Sequence, residues 1–304
     1  MTDLPLVSVC TITYNSSKTV LETLDSIYAQ TYQKLELLVS DDCSTDDSVE
    51  VCRQWIEAHK DRFVRAEMIV REKNGGVAAN LNTAIRACRG EWIKSIAGDD
   101  LLMQDCIKEN IDYISNHENQ GIVFSKVQCF CVEKGQRILM NHFLPGIHAV
   151  KFEQSASGQY QALLRSNFPP STSVFYRKEL LMAVPFPEDY PFCEDYPQWL
   201  HLTKNGIKLC YFDKQTAYYR VGESLLNPGS HRFVNEKFHY SVEAFFYYER
   251  VPALLKTNPE LVKHIQREFL LGDIAILLLN NRRNFITKVI LFIFKLFLGT
   301  RIVQ

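Results

Sequence analysis

Over its first 130 residues the chain alternates two hydrophobic patterns. Short, nearly continuous runs rich in β-branched residues give way to stretches whose apolar positions recur at helical spacing. Residues 6–13 form the first run, and residues 20–28 follow with Val20, Leu21, Leu24, Ile27 and Tyr28 spaced for a helix. Residues 35–39 predict a second strand. Residues 48–59 predict a second helix, introduced by Ser44-Thr45-Asp46-Asp47, good capping material. Residues 66–70, 77–88, 91–97 and 104–117 continue as strand, helix, strand and helix. Short apolar strands separated by such helices predict βαβ units and a parallel sheet. Right-handed crossovers place the loop after each strand on one edge, where an open α/β sheet binds ligands.

The pattern changes beyond residue 120. Residues 121–132 and 137–143 read as antiparallel strands around Glu133-Lys-Gly-Gln136, and residues 151–170 as an irregular, mobile loop containing Ser155-Ala-Ser-Gly158 and Pro169-Pro170. A compact segment rich in proline and aromatics follows, and from His231 onward the chain predicts mostly helix. No internal repeat or low-complexity tract is visible. The 304 residues allow one large domain or two closely joined ones, with ordinary hydrophobic (46%) and charged (23%) fractions. The net charge of −1 gives no basic field for nucleic acid. Nine scattered cysteines lack metal-ligand spacing, and Cys129-Phe-Cys131 reads as strand thiols, so a reducing compartment fits. No secretory signal is visible in the opening residues, and the expected location is cytoplasmic.

The sharpest chemical signal is Ile93-Lys-Ser-Ile-Ala-Gly-Asp99-Asp100, a strand ending in two adjacent carboxylates. Unpaired acids at a buried strand end are costly. A hard divalent cation such as Mg²⁺ or Mn²⁺ relieves that cost and keeps open positions for phosphate. The plain alternative is an acidic cap on the next helix. The other strand ends carry Thr13-Tyr14-Asn15-Ser16 and Asp41-Asp42-Cys43-Ser44. Each could be a cap, a turn or a core-edge aromatic, but together they converge on the ligand-binding edge.

Four linked stretches carry a family resemblance: Pro5 to Asn15, Leu35 to Asp47, Asn74-Gly-Gly-Val-Ala-Ala-Asn-Leu-Asn82, and Gly90 to Asp100. In order and spacing over roughly residues 5–110 they resemble family 2 glycosyltransferases of the GT-A fold, and Glu194-Asp195 extends the match. The resemblance implies a Rossmann-like, mostly parallel sheet flanked by helices, with a helical C-terminal extension. It divides the chain into a catalytic domain over residues 1–225 (nucleotide-sugar half 1–120, acceptor half 121–225) and a helical region over 226–304. It places Thr13, Tyr14 and Asn15 at the nucleotide, with the tyrosine ring stacking on the base and Asp42 accepting the base's imide N–H. Asp99 and Asp100 match the D-x-D-type element, Asp100 contacting Mn²⁺ or Mg²⁺ and Asp99 lying nearer the ribose or donor sugar, with a share in the metal. Asn82 matches a position beside the donor pocket, with helix packing an equal alternative.

Some positions depart from the family pattern. Leu81 stands where many relatives have arginine. Cys43 replaces a glycine or asparagine, which is tolerable if its backbone angles are ordinary. No histidine follows Tyr219-Arg220, and His231 lies farther on, so a third protein ligand to the metal is in doubt. Arg220 either assists the diphosphate or forms a structural ion pair. By the resemblance, Glu194-Asp195 carries the general base, Asp195 being the better choice, for a single in-line displacement that inverts the anomeric centre. By spacing alone, the same acids are ordinary compensation of a helix dipole. Trp199 lines either the acceptor or the core.

Asn284 to Ile302 reads as an apolar helix on which Asn284, Lys288 and Lys295 share one stripe, and residues 281–304 hold five Lys or Arg and no acid. It is too short and interrupted to span a bilayer. A helix lying on the inner face of the cytoplasmic membrane is one reading, and packing on the domain or in a homodimer the other. The expected activity is transfer of a sugar from a nucleotide-diphosphate donor, a UDP-sugar, to a saccharide or lipid-linked saccharide in surface glycan synthesis, such as a lipopolysaccharide core, O-antigen or capsule. A catalytically dead scaffold is the rival. A nicotinamide-dependent oxidoreductase is disfavoured because no G-x-G-x-x-G follows the first strand.

Overall fold

The computed structural model describes residues 4–117, 120–222 and 232–298. His231 and the expected boundary at 225–226 lie outside these residues. The chain forms two compact units, residues 1–221 and 222–304.

The first unit begins with the predicted alternation. Strands β1 (Val7–Thr13), β2 (Leu35–Asp41) and β3 (Arg65–Val70) alternate with helices α1 (Val20–Tyr28) and α2 (Ser48–His59). Helix α3 (Gly76–Ala87), strand β4 (Trp92–Ala97), the two-residue strand β5 (Leu101–Leu102) and helix α4 (Cys106–Ser115) follow. Strand β1 pairs in parallel with β2 and β4, and β2 with β3. Both faces of this sheet are covered, so β1 and β2 read as near-continuous apolar runs rather than alternating ones.

The second half of the unit extends the same sheet. Strands β6 (Ile122–Glu133) and β7 (Gln136–Leu144) form a hairpin whose two loop residues, Lys134 and Gly135, have φ of 50° and 77°, the signature of a type I′ turn. Helix α5 (Ala156–Leu163), strand β8 (Phe175–Arg177), helices α6 (Lys178–Ala183) and α7 (Asp195–Lys204) and strand β9 (Cys210–Arg220) complete it. The strand order is β3-β2-β1-β4-β8-β6-β9-β5, with β7 attached to β6; β6 and β9 are parallel, and β8 joins the two parallel halves by antiparallel pairing.

Residues 151–170 are ordered where a mobile loop was expected. A 3₁₀ turn at Gly146–Glu153 leads into α5, whose N-cap Ser155 accepts the Gly158 N–H at 3.2 Å. The serines that suggested a loop include the cap of a short helix.

The second unit contains helices α8 (Glu236–Phe245), α9 (Val251–Thr257), α10 (Pro259–Asp273) and α11 (Phe285–Leu298). Its core joins Leu271, Ile274, Ala275 and Leu291.

An acidic side chain sits deep in the sheet. Glu36, in the middle of β2, is fully buried. Arg65 donates to it at 2.7 Å, the Arg89 N–H at 2.7 Å, and the Ser8 hydroxyl as well. A buried acid with all its partners is tolerable, whereas one deprived of its counter-ion costs about 3–5 kcal/mol. Arg65→Met is therefore expected to lower unfolding stability by about 3 kcal/mol in a urea titration; an unchanged midpoint would show that Glu36 does not depend on this pair.

Candidate active site

The ends of β1, β2 and β4 meet on one edge and are stitched together by polar contacts. Thr13 Oγ1 donates to Asp41 Oδ2 at 2.8 Å, and the Asp42 N–H donates to the Thr13 carbonyl at 2.9 Å. Asn15, in the left-handed region at φ 51°, accepts the Thr45 N–H at 2.8 Å and donates its own N–H to Ser44 Oγ at 2.8 Å. Its side chain joins two loops. Tyr14, beside it, is half exposed.

Asp42 is almost fully buried, and its carboxylate is occupied by the chain itself. Oδ2 accepts the Gly76 N–H at 2.8 Å, Oδ1 accepts the Gly75 N–H at 3.0 Å, and Arg71 pairs with Oδ1. Arg71 was missed in the sequence because it lies outside the recognised motifs. Asn82 points away from a ligand role. Its amide donates to the Phe186 carbonyl and to Glu188, both at 2.9 Å, and accepts the Phe186 N–H at 3.0 Å. It clamps the segment that leads to Glu194.

Cys43 departs from the ordinary backbone angles that would make it easily tolerated. Its φ is 64°, so this turn needs the left-handed conformation that glycine or asparagine adopts readily.

Asp100 is 3% exposed. The Arg220 N–H donates to its Oδ1 at 2.8 Å and the Thr172 hydroxyl to its Oδ2 at 2.9 Å. Among the described residues no lysine or arginine forms an ion pair with Asp99 or Asp100. Arg220 instead pairs with Glu22 at 3.1 Å, lies over the Phe130 ring and donates Nε to the Asp99 carbonyl at 2.7 Å. The guanidinium thus takes the structural role. Burial, then the charge of Asp99, pushes the Asp100 carboxyl up to about 8. Burial also raises Asp99, against the pull of Arg220. Beneath them Lys94, wholly buried, donates to the Thr172 carbonyl at 2.6 Å, and burial lowers its ammonium to about 8.

Glu194 and Asp195 open helix α7. Glu194 holds the N-cap position with helical angles (φ −82°, ψ −39°), yet its carboxylate caps no backbone N–H. Burial, then the charge of Asp195, pushes it up to about 8. Asp195 is raised by burial; its Oδ2 accepts from the Asn167 amide at 3.1 Å and its Oδ1 accepts the Tyr196 N–H at 2.6 Å. Asp100, Glu194 and Asp195 line one cavity of about 60 Å³, together with Thr172, Tyr176 and Trp199. Trp199 is fully buried, edge-on to Phe124 at 5.0 Å, so it is a core residue whose edge reaches the cavity wall.

The donor set suits a hard cation. Two neighbouring carboxylates, Asp100 buried and Asp99 half-buried, neither in an ion pair among the described residues, offer oxygen ligands only. Asp100 and Asp99 would hold such an ion, and substrate phosphate oxygens would complete its coordination.

A fold with this sheet and acids gathered at its edge defines a transferase acting on activated sugars, and the comparisons place it in a family. The model of "Glycosyl transferase family 2" matches residues 8–182, and the chain belongs to that family. EpsE of Bacillus subtilis (strain 168), named as a glycosyltransferase, is 30% identical over 79% of this chain and 79% of its own length. The Escherichia coli UDP-Glc:alpha-D-GlcNAc-diphosphoundecaprenol beta-1,3-glucosyltransferase WfaP is 24% identical over 80% of this chain and 92% of its own. S. aureus TarS 1-349 in complex with UDP-GlcNAc shares the fold at a TM-score of 0.58 and 20% identity, over 89% of this chain and 73% of that one. The mannosyltransferase PcManGT from Pyrobaculum calidifontis, in complex with GDP-Man and Mn²⁺, does so at 0.58 and 20%, over 91% and 76%.

The raised carboxyl of Asp100 has a consequence for pH. Its folded-state value of about 8 lies above the roughly 3.9 of an unfolded aspartate. Ionisation therefore costs native stability progressively as pH rises from the lower value to the higher, and the loss is complete above both. In chelator, Asp100→Asn should melt a few degrees above the parent protein near pH ~8.5, where 1 kcal/mol moves Tm about 2–4 °C, with the gain gone near pH ~4. Thermal melts at the two pH values check this, and an equal gain at both would locate the effect elsewhere.

Proposed function

We propose that this protein transfers a sugar from a nucleotide-diphosphate donor, a UDP-sugar, to a saccharide or lipid-linked saccharide acceptor in surface glycan synthesis, inverting the anomeric centre. The observation that carries the reading is the shared cavity: Asp100 on one wall, Glu194 and Asp195 on another. The donors and acceptor in the names of WfaP and of the TarS complex support a UDP-sugar and a lipid-linked glycan. The cavity is far smaller than the roughly 300–1,000 Å³ of a small-molecule site. It accommodates the reacting atoms, with the nucleotide in the open cleft along Thr13, Tyr14 and Asn15. The exposed Tyr14 ring offers a stacking face for the base, beside Asp42 in its Gly75–Gly76 cradle.

Asp195 is the general base. Burial raises its carboxyl toward the working pH, and the Asn167 amide and Tyr196 N–H fix its orientation. It takes the proton of the acceptor hydroxyl as that oxygen bonds to the anomeric carbon, while the bond from carbon to diphosphate oxygen breaks and its electron pair leaves with the diphosphate. A Mg²⁺ or Mn²⁺ bound at Asp100 and Asp99 would neutralise charge on the departing diphosphate. Glu194, beside it, is raised by burial and by the charge of Asp195.

We also place the protein at a membrane surface. No described helix is long and apolar enough to cross a membrane. Helix α11 buries Thr287 and Leu291 and packs Phe294 and Leu298 against its own unit. Its opposite side exposes Phe285 (81%), Ile286 (68%), Val289, Phe292 and Ile293. At about 100° per residue these five share one stripe, and Lys288 lies at its border with Lys295 beside it. An apolar stripe edged by lysines suits an anionic lipid surface.

Asp195→Asn is expected to lower transfer by about 10²–10⁴-fold, the usual worth of a general base. Calorimetric binding of the nucleotide diphosphate should stay within a few-fold, and parallel loss of both would remove Asp195 from the base role. Replacing Phe285 and Ile286 together with aspartate should weaken co-sedimentation with anionic vesicles by at least on the order of 100-fold, since each buried side chain of this size contributes about 1.5–3 kcal/mol. Unchanged sedimentation would assign the stripe to a partner subunit.

A further inference from the structure

The C-terminal unit holds a group of side chains that the transfer reaction does not use. His239 and Glu243, one turn apart on α8, face Asp273 at the end of α10. One ligand atom from each lies within 4.8 Å of the others, and His239 Nε2 is 3.1 Å from Asp273 Oδ1. We propose that these three side chains form a second metal site, selective for a borderline divalent transition metal of the zinc class and distinct from the oxygen-only site at Asp99 and Asp100.

Three observations carry it. The first is ligand chemistry: an imidazole with two carboxylates, leaving an open fourth position, suits Zn²⁺ better than Mg²⁺ or Ca²⁺. The His239–Asp273 separation already approximates the edge of a zinc tetrahedron, roughly 3.3 Å for bonds of about 2.0–2.2 Å. The second is charge. Among the described residues no lysine or arginine pairs with Glu243 or Asp273. Two acids held this close repel one another, and His239 relieves them only when its imidazole is protonated.

The third is that the imidazole is built in. It is 9% exposed and packs edge-on to Phe269 at 5.7 Å. It lies against Gly272 so closely that a Cβ there would fall 2.2 Å from its Cε1. Both ligand-bearing helices also run directly into π-helical turns, Phe246–Arg250 after α8 and Ile274–Leu278 after α10. Such turns are rare and concentrate at functional sites. A bound metal would fasten α8 to α10 and so stiffen the unit.

The test uses the full chain, stripped with chelator and desalted, with no nucleotide present. Zn²⁺ retention is measured by elemental analysis, and Co²⁺ by the visible absorption of a low-coordinate nitrogen–oxygen site. About one metal per chain is expected in the parent protein and equally in Asp100→Asn, with affinity at least roughly tenfold lower in Glu243→Gln and Asp273→Asn. Retention unchanged in those two variants, or lost in Asp100→Asn, overturns the proposal. Should either variant fail to fold, the parent titration decides alone: without a low-coordinate Co²⁺ spectrum the three side chains are a hydrogen-bonded cluster only.

Discussion

Carboxylates gathered where water reaches most of them only in part are the constraint on which this site depends. Asp99 and Asp100 follow a largely buried strand, Glu194 and Asp195 open a helix whose next residues are core, and all four carboxyls are raised by burial. Neutral donors satisfy part of this demand through the Arg220 and Tyr196 N–H groups, the Thr172 hydroxyl and the Asn167 amide. None of these supplies a positive charge. The one ammonium behind the site, Lys94, donates to main-chain carbonyls and is itself depressed by burial. In the proposed reading, Asp99 and Asp100 would take a cation with its phosphate and Asp195 a proton, which is the division of labour that glycosyl transfer requires.

Holding the two walls together is the work of residues outside the site. Gly76 has a φ of 85° and no room for a Cβ, which would meet the Pro191 carbonyl at 2.5 Å, and the Val77 N–H donates to that carbonyl at 3.1 Å. Asn82, one helical turn and a half further along α3, fixes Phe186 from both sides of its peptide. The helix that follows β3 thus carries the segment before Glu194, although the two are more than a hundred residues apart in sequence. The same helix start also holds Asp42. One element therefore sets the position of both Asp42 at the sheet edge and the candidate base, and a shift in α3 would move them together.

The apolar C-terminal helix shows what a hydrophobic pattern leaves open. Composition alone offered a membrane face or a packed face as rivals. The structure packs one side of α11 and leaves another apolar side exposed, because its apolar arc is wider than its own unit can cover: Leu291 and Phe294 are inside while Phe285 and Ile286 remain outside. An apolar arc of that width has too many hydrophobic residues for a one-sided packing helix.

The βαβ half was legible because each of its elements has one dominant period and a punctuating loop; Val20–Tyr28 and Ser48–His59 match their predicted limits. The acids were legible because carboxylates cluster at strand ends for few reasons. What escaped was set by contacts remote in sequence. Strand β5 is two residues long and exists only because β9 returns beside it, and α5 is too short for periodicity to register. Arg71, Thr172 and Asn167 are ordinary residues until the fold brings them to Asp42, Asp100 and Asp195. Cys43 shows the reverse error: its substitution was legible, but the demand for a left-handed backbone at that turn was not, because φ is imposed by the loop that Asp41 closes on Ser44 at 2.7 Å. A residue's identity constrains its own preferences, while its role is fixed by partners that the sequence keeps far away.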